Sequence, residues 1–212
     1  MKKAVLLINL GSPNSPTPKD VKIYLKEFLM DEYVIDIPKW IRYPLVNWII
    51  APFRSKQSAK AYESVWTDEG SPLITISEKQ QQALQKRLPN IPIYLAMRYQ
   101  NPSIKDILKK IIDELPDINQ LYVVPLYPHY AMATTKTVVK KVESEIQKLA
   151  PQVNVLFQAP FYKHPSYIAA LSNSIQNVWE KGFDHLLFSY HGIPVRHLKK
   201  TDTTGVHCKK GF

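Results

Sequence analysis

Short apolar runs recur along this chain with amphipathic stretches between them, and that rhythm leaves few folds open. The first run, Lys3 to Asn9, is continuously apolar after its lysine and ends in the turn Gly11-Ser12-Pro13. A run apolar on both faces fits a strand covered by helices on either side, the habit of parallel sheets. Further strands are predicted at 92–97, 120–125, 153–157 and 185–190. Thr17 reads as a helix N-cap with Pro18 at the first helical position, and Val21, Tyr24, Leu25, Phe28 and Leu29 follow at helical spacing. Helices are also predicted near 56–66, 77–88, 103–115, 135–149 and 166–181, with Ser77 and Ser103 as caps and Gly182 as a stop. Five strands alternating with helices imply an α/β fold with a doubly wound, mostly parallel, Rossmann-like sheet.

At 212 residues and 45% hydrophobic, the chain has room for one large domain or one and a half small ones. Its one cysteine, Cys208, excludes a disulfide framework, and the apolar start is too short for a signal peptide. A reducing, cytoplasmic compartment is expected. The net charge of +10 is spread over helices such as 105–110 and 136–148, mixed with acidic residues. That pattern reads as solvated helix faces and not as a nucleic-acid stripe, while anionic small substrates or an anionic membrane surface fit the excess.

Residues 33–53 break the rhythm. Pro38, Pro44 and Pro52 with Asp36, Lys39 and Arg42 exclude a membrane span, yet Trp40, Trp48 and the aliphatic residues are more than a connector needs. Two readings stand: an amphipathic lip that holds a flat apolar ligand or touches a membrane surface, or a helical excursion packed on the core.

The chemistry is first bounded by absences. The sequence has no dinucleotide or Walker glycine loop, no Gly-x-Ser-x-Gly elbow, no His-Glu-x-x-His and no Cys-x-x-Cys. What it offers is polar residues at predicted strand ends: Asn9-Leu10-Gly11-Ser12-Pro13, Met97-Arg98-Tyr99, Pro125-Leu-Tyr127-Pro-His129-Tyr130 and Ser189-Tyr190-His191. In a parallel sheet these ends share one edge, the ligand edge of open α/β folds. An arginine, several tyrosines and two histidines around one crevice suit a large aromatic anion. Each alone also fits a structural role, Arg98 as a surface charge and Tyr127 or Tyr130 as core.

Taken in order, these segments, together with Tyr62 and Glu69-Gly-Ser-Pro-Leu73, resemble the ferrochelatases, which insert ferrous iron into a porphyrin in haem biosynthesis. The resemblance implies a two-lobed chelatase architecture, with residues 1–160 as the first Rossmann-like lobe and 161–212 as the start of the second. It makes His191 the catalytic histidine, assigned to pyrrole proton abstraction, metal binding or both. Leu10, Arg54, Tyr62, Met97, Arg98, Tyr99, Tyr127 and Tyr130 become porphyrin-binding residues, and 33–53 the family's apolar lip, fit for peripheral membrane contact. Members acting on coproporphyrin iron complexes often carry a tyrosine at the place of Leu10, so leucine favours protoporphyrin IX. The implied partners are protoporphyrin IX and ferrous iron as substrates, with no further cofactor and no nucleic acid.

Ferrochelatases continue well beyond the equivalent of Phe212, where an acidic residue faces the histidine. The chain is therefore expected to stop inside the second lobe and to have little or no activity alone. Some members hold an iron–sulfur cluster, but it needs four ligands and one cysteine is present, so none is expected. A non-catalytic tetrapyrrole-binding module, and a chelatase for another metal or tetrapyrrole, are the alternatives.

Overall fold

A computed structural model describes residues 2–179 and 182–206. The chain divides into two compact units, residues up to 126 with 133–158, and residues 127–132 with those from 159 onward.

The first unit is built on a four-stranded, all-parallel sheet in the order β2-β1-β3-β4. The strands are β1 (Lys2–Asn9), β2 (Ile93–Met97), β3 (Ile118–Pro125) and β4 (Asn154–Phe157). β1 is paired on both sides, Leu6 standing opposite Tyr94 on one neighbour and Val123 on the other. Every residue from Ala4 to Ile8 is buried, as its unbroken apolar run requires. Val5, Leu7, Ile93, Leu95 and Met97 form one core cluster, against which Leu73, Ile74 and Leu84 of α4 (Pro72–Arg87) pack.

Local chemistry accounts for the helix starts. α1 (Pro18–Leu29) is capped by Thr17, whose hydroxyl accepts the Asp20 N–H, with Pro18 pre-set at the first position. α5 (Ile104–Glu114) is capped by Ser103, which accepts from the Asp106 N–H at 3.2 Å and donates to its carboxylate at 2.6 Å. The next α-helix, α6 (Thr137–Leu149), buries Val138, Val142 and Ile146 on one face.

One local expectation needs correction, and one open choice is narrowed. The helix predicted from 77 starts at Pro72, because proline's fixed φ suits the first turn; Ser77 lies inside it and donates to the Leu73 carbonyl at 2.6 Å. Residues 33–53 hold more helix than connector: α2 (Lys39–Pro44), a π-helical turn (Leu45–Ile50), and the start of α3 (Ala51–Glu63). Val46 and Ala51 are buried, so one side packs, while Trp40, Trp48 and Phe53 are each more than two-thirds exposed on the other. The packed side agrees with the helical excursion, and the exposed aromatic side is what the lip reading would use.

The second unit contains α7 (Pro165–Trp179) and α8 (Val195–Thr201). The fifth strand, predicted at 185–190, does not form: the segment has irregular backbone, and Leu187 is 91% exposed. A strand exists only beside a hydrogen-bonded neighbour, and the second unit has no other strand among the described residues. α7 buries none of its residues, and Ile175, Val178, Trp179, Phe183 and Leu186 instead line an apolar groove of about 370 Å³.

Glycine is obligatory at one point of the first unit. Gly11 has φ +103°, and a Cβ there would lie 2.0 Å from the Tyr99 carbonyl oxygen. Gly70, at φ +104°, has nothing within 4 Å of the same position. Gly70→Ala is expected to cost about 1–3 kcal/mol from backbone strain alone, and Gly11→Ala clearly more, since backbone must also move. Urea unfolding of the two variants checks this; equal costs would contradict it.

Candidate functional site

The carboxyl end of β1 is tied to its surroundings atom by atom. Asn9 accepts the Leu10 N–H on Oδ1 at 2.8 Å and donates from Nδ2 to Ser77 Oγ at 3.0 Å. The Arg98 N–H donates to the Asn9 carbonyl at 2.8 Å and the Tyr99 N–H to the Leu10 carbonyl at 2.9 Å. Leu10, Met97, Arg98 and Tyr99 are therefore brought together as two adjacent strand exits. The buried Ser12 hydroxyl beside them has no hydrogen-bond partner among the described residues.

Strand order reverses at β1, since the chain steps to β2 on one side and to β3 on the other. Such a reversal opens a crevice at the carboxyl ends of the strands. A buried ionic network sits in the connections there. Asp31, just past α1, has a side chain 4% exposed. Its Oδ2 accepts from Arg98 Nη2 at 2.5 Å, from the Tyr99 hydroxyl at 2.9 Å and from Thr137 Oγ1 at 2.5 Å. Its Oδ1 accepts the Tyr33 N–H at 2.7 Å. Thr137, at the start of α6, also accepts from Arg98 Nε at 2.7 Å.

Four donors satisfy a carboxylate that could not be buried bare, and the paired guanidinium supplies the opposite charge. Arg98 lies 4.5 Å from the Tyr99 ring centroid, a cation–π distance. Only two of its three nitrogens are engaged: Nη1 has no hydrogen-bond partner among the described residues, and the side chain is 15% exposed.

Behind the network lies an aromatic cluster. Tyr99 is fully buried and meets Phe28 and Tyr24 edge-on, and Tyr24 meets Tyr62 edge-on with centroids 6.1 Å apart. Tyr62, on α3, thus joins Tyr99 through Tyr24. Burial pushes the Tyr62 hydroxyl above the usual tyrosine range, against an opposing hydrogen bond with Tyr24. Arg54, two turns earlier on α3, is exposed and apart from this cluster.

The remaining predicted residues belong to the second unit. Tyr127 is half-buried and Tyr130 is 42% exposed, both in the segment that follows β3. Nearby, His129 stacks on Tyr162 with ring centroids 5.3 Å apart. His191 is exposed in irregular backbone and so does not end a strand. Cys208 lies outside the described residues. No group of three or more His, Cys, Asp or Glu side chains able to hold a metal occurs among the described residues, and no described helix is long and apolar enough to cross a membrane. Sequence reasoning missed Asp31 and Thr137, which lie 67 and 39 residues from Arg98 and carry no motif.

Fold and site together define a doubly wound α/β protein that holds an arginine on a buried carboxylate at the carboxyl edge of its parallel sheet. The ferrochelatase family model matches residues 2–210, and the chain belongs to the ferrochelatase family. It is similar to ferrochelatases of Opitutus terrae (49% identical over 209 residues), Pseudomonas syringae pathovar tomato (44% over 207) and Pectobacterium atrosepticum (41% over 210). Each match covers 98% of this chain, which spans 60%, 60% and 65% of those relatives' lengths.

The Tyr99 hydroxyl is pushed far above the usual tyrosine range, first by burial and then by the Asp31 charge. The folded chain favours the neutral form more than the unfolded chain does, so its contribution to stability is complete below about pH 10 and is lost as pH rises past that value. Stability followed from pH 8 to 11 should fall more steeply in the wild type than in Tyr99→Phe. Parallel curves would contradict the assignment.

Proposed function

We propose that this chain carries porphyrin-binding and proton-abstracting residues of a ferrochelatase. That enzyme inserts Fe²⁺ into protoporphyrin IX to give protohaem, the last step of haem synthesis and formally a lyase reaction. The observation that carries the reading is the half-engaged guanidinium of Arg98, held over an aromatic cluster at the ligand edge of a chain from this family. Porphyrin is a flat apolar ring bearing carboxylates. The open Nη1 edge suits a propionate, and an apolar surface suits the ring. Leucine at position 10 favours protoporphyrin IX.

Metallation forms four Fe–N bonds and releases two pyrrole protons. A neutral imidazole both accepts a proton near pH 7 and ligates a borderline metal, which makes His191 the base, the iron ligand or both. Iron enters as substrate, and the reading requires no resident cofactor or cluster. Between Ile37 and Tyr62 the sequence has no acidic residue but carries exposed Lys39, Arg54, Lys56 and Lys60, beside exposed Trp40, Trp48 and Phe53, while Arg42 is buried and bonded to the Ile35 and Ile37 carbonyls. A cytoplasmic enzyme with this segment is suited to touch an anionic membrane surface.

Absorbance titration of the chain with protoporphyrin IX tests the reading. Saturable binding is expected, with affinity lowered by about 1.5–3 kcal/mol in Arg98→Leu. Absence of binding would overturn the reading. His191→Ala should abolish iron insertion, measured in the complete enzyme, and leave porphyrin binding nearly unchanged. Retained turnover would remove His191 from this role, and binding without any Fe²⁺-dependent spectral change would favour a non-catalytic module.

A further inference from the structure

We propose that Asp31 is a positioning residue for ligand binding: it fixes the Arg98 guanidinium so that the Nη1 edge is presented to a carboxylate of the ligand. This rests on the reading that the crevice binds a carboxylated tetrapyrrole.

A free arginine has many rotamers, and ordering one on binding costs affinity. Here the ordering is already done. Asp31 Oδ2 holds Nη2 and Thr137 Oγ1 holds Nε, so the guanidinium plane is defined by two bonds from different elements. The Tyr99 ring, 4.5 Å away, supports the group from another side. Tyr99 is itself fixed, because its hydroxyl also ends on Asp31 Oδ2. One buried carboxylate therefore sets both the arginine and the ring beside it, while Nη1 keeps two N–H donors without a partner among the described residues.

The placement of Asp31 is equally constrained. The Asp31 N–H donates to the Phe28 carbonyl at 3.3 Å, which closes the end of α1, and Oδ1 takes the Tyr33 N–H at 2.7 Å. The carboxylate thus links the connections leaving β1, β2 and β3. Purely structural pairing would also use a buried carboxylate; the proposal adds that Nη1, without a partner among the described residues on a side chain 15% exposed, takes a ligand carboxylate.

The test compares a dicarboxylic porphyrin with its dimethyl ester, using absorbance titration of the 212-residue chain. Asp31→Asn should weaken binding of the acid roughly tenfold and change ester binding by less than about twofold. In an Arg98→Leu background, Asp31→Asn should cause no further loss for the acid. Equal loss for acid and ester, or a loss that persists without Arg98, would overturn the proposal. Because Asp31→Asn leaves a half-buried arginine without its counter-charge and can compromise folding, Thr137→Val serves as the second variant. It keeps the shape, removes the bond to Nε, and should weaken the acid about threefold with the ester unaffected. No acid-selective loss in a folded Thr137→Val would count against the proposal. A wild-type chain that binds neither acid nor ester would remove the tetrapyrrole reading itself.

Discussion

β1 is hydrogen-bonded on both sides, and the rest of the first unit is organised by that fact. A strand with two parallel neighbours has no free backbone edge, so its residues can meet only helices above and below, and Ala4 to Ile8 are accordingly buried. Parallel pairing also forces every connection to cross over and return, which sends the loops after β1, β2 and β3 to the same edge. There the pairing continues past the strands themselves, through the bonds from the Arg98 and Tyr99 N–H groups to the Asn9 and Leu10 carbonyls. The close approach leaves no room for a side chain at Gly11.

That edge determines the chemistry. Backbone pairing delivers Arg98 and Tyr99 side by side, and a buried carboxylate from a different connection locks both. The ion pair alone is weak support for stability, because desolvating two charges offsets much of their attraction. Its effect is geometric: removing either partner strands a buried charge, at a cost of about 3–5 kcal/mol, so neither can drift. The result is an arginine with one edge spent on the protein and one available.

Much of this was legible from the residues. The unbroken run from Ala4 to Ile8, the Thr17-Pro18 start and the Ser103 cap each depend on local chemistry, and each formed as read. The strand exits bearing Leu10, Met97, Arg98 and Tyr99 also followed, because a parallel sheet puts them on one edge. Asp31 and Thr137 were not legible. A single acid past a helix and a threonine at the start of another carry no local mark, and their role comes from contacts made across 67 and 106 positions of chain. The run at 185–190 failed for the opposite reason. Its composition is strand-like, but a strand is a property of a pair, and no partner strand stands beside it in the described second unit.

The central claim is that a carboxylated tetrapyrrole binds at the β1–β2 edge through the open side of Arg98. The most direct measurement is a crystal structure of the chain with a dicarboxylic porphyrin bound. The account predicts a ligand carboxylate about 3 Å from Arg98 Nη1, with Nη2 still on Asp31. A macrocycle bound elsewhere, or an arginine that leaves Asp31 to reach it, would contradict the account.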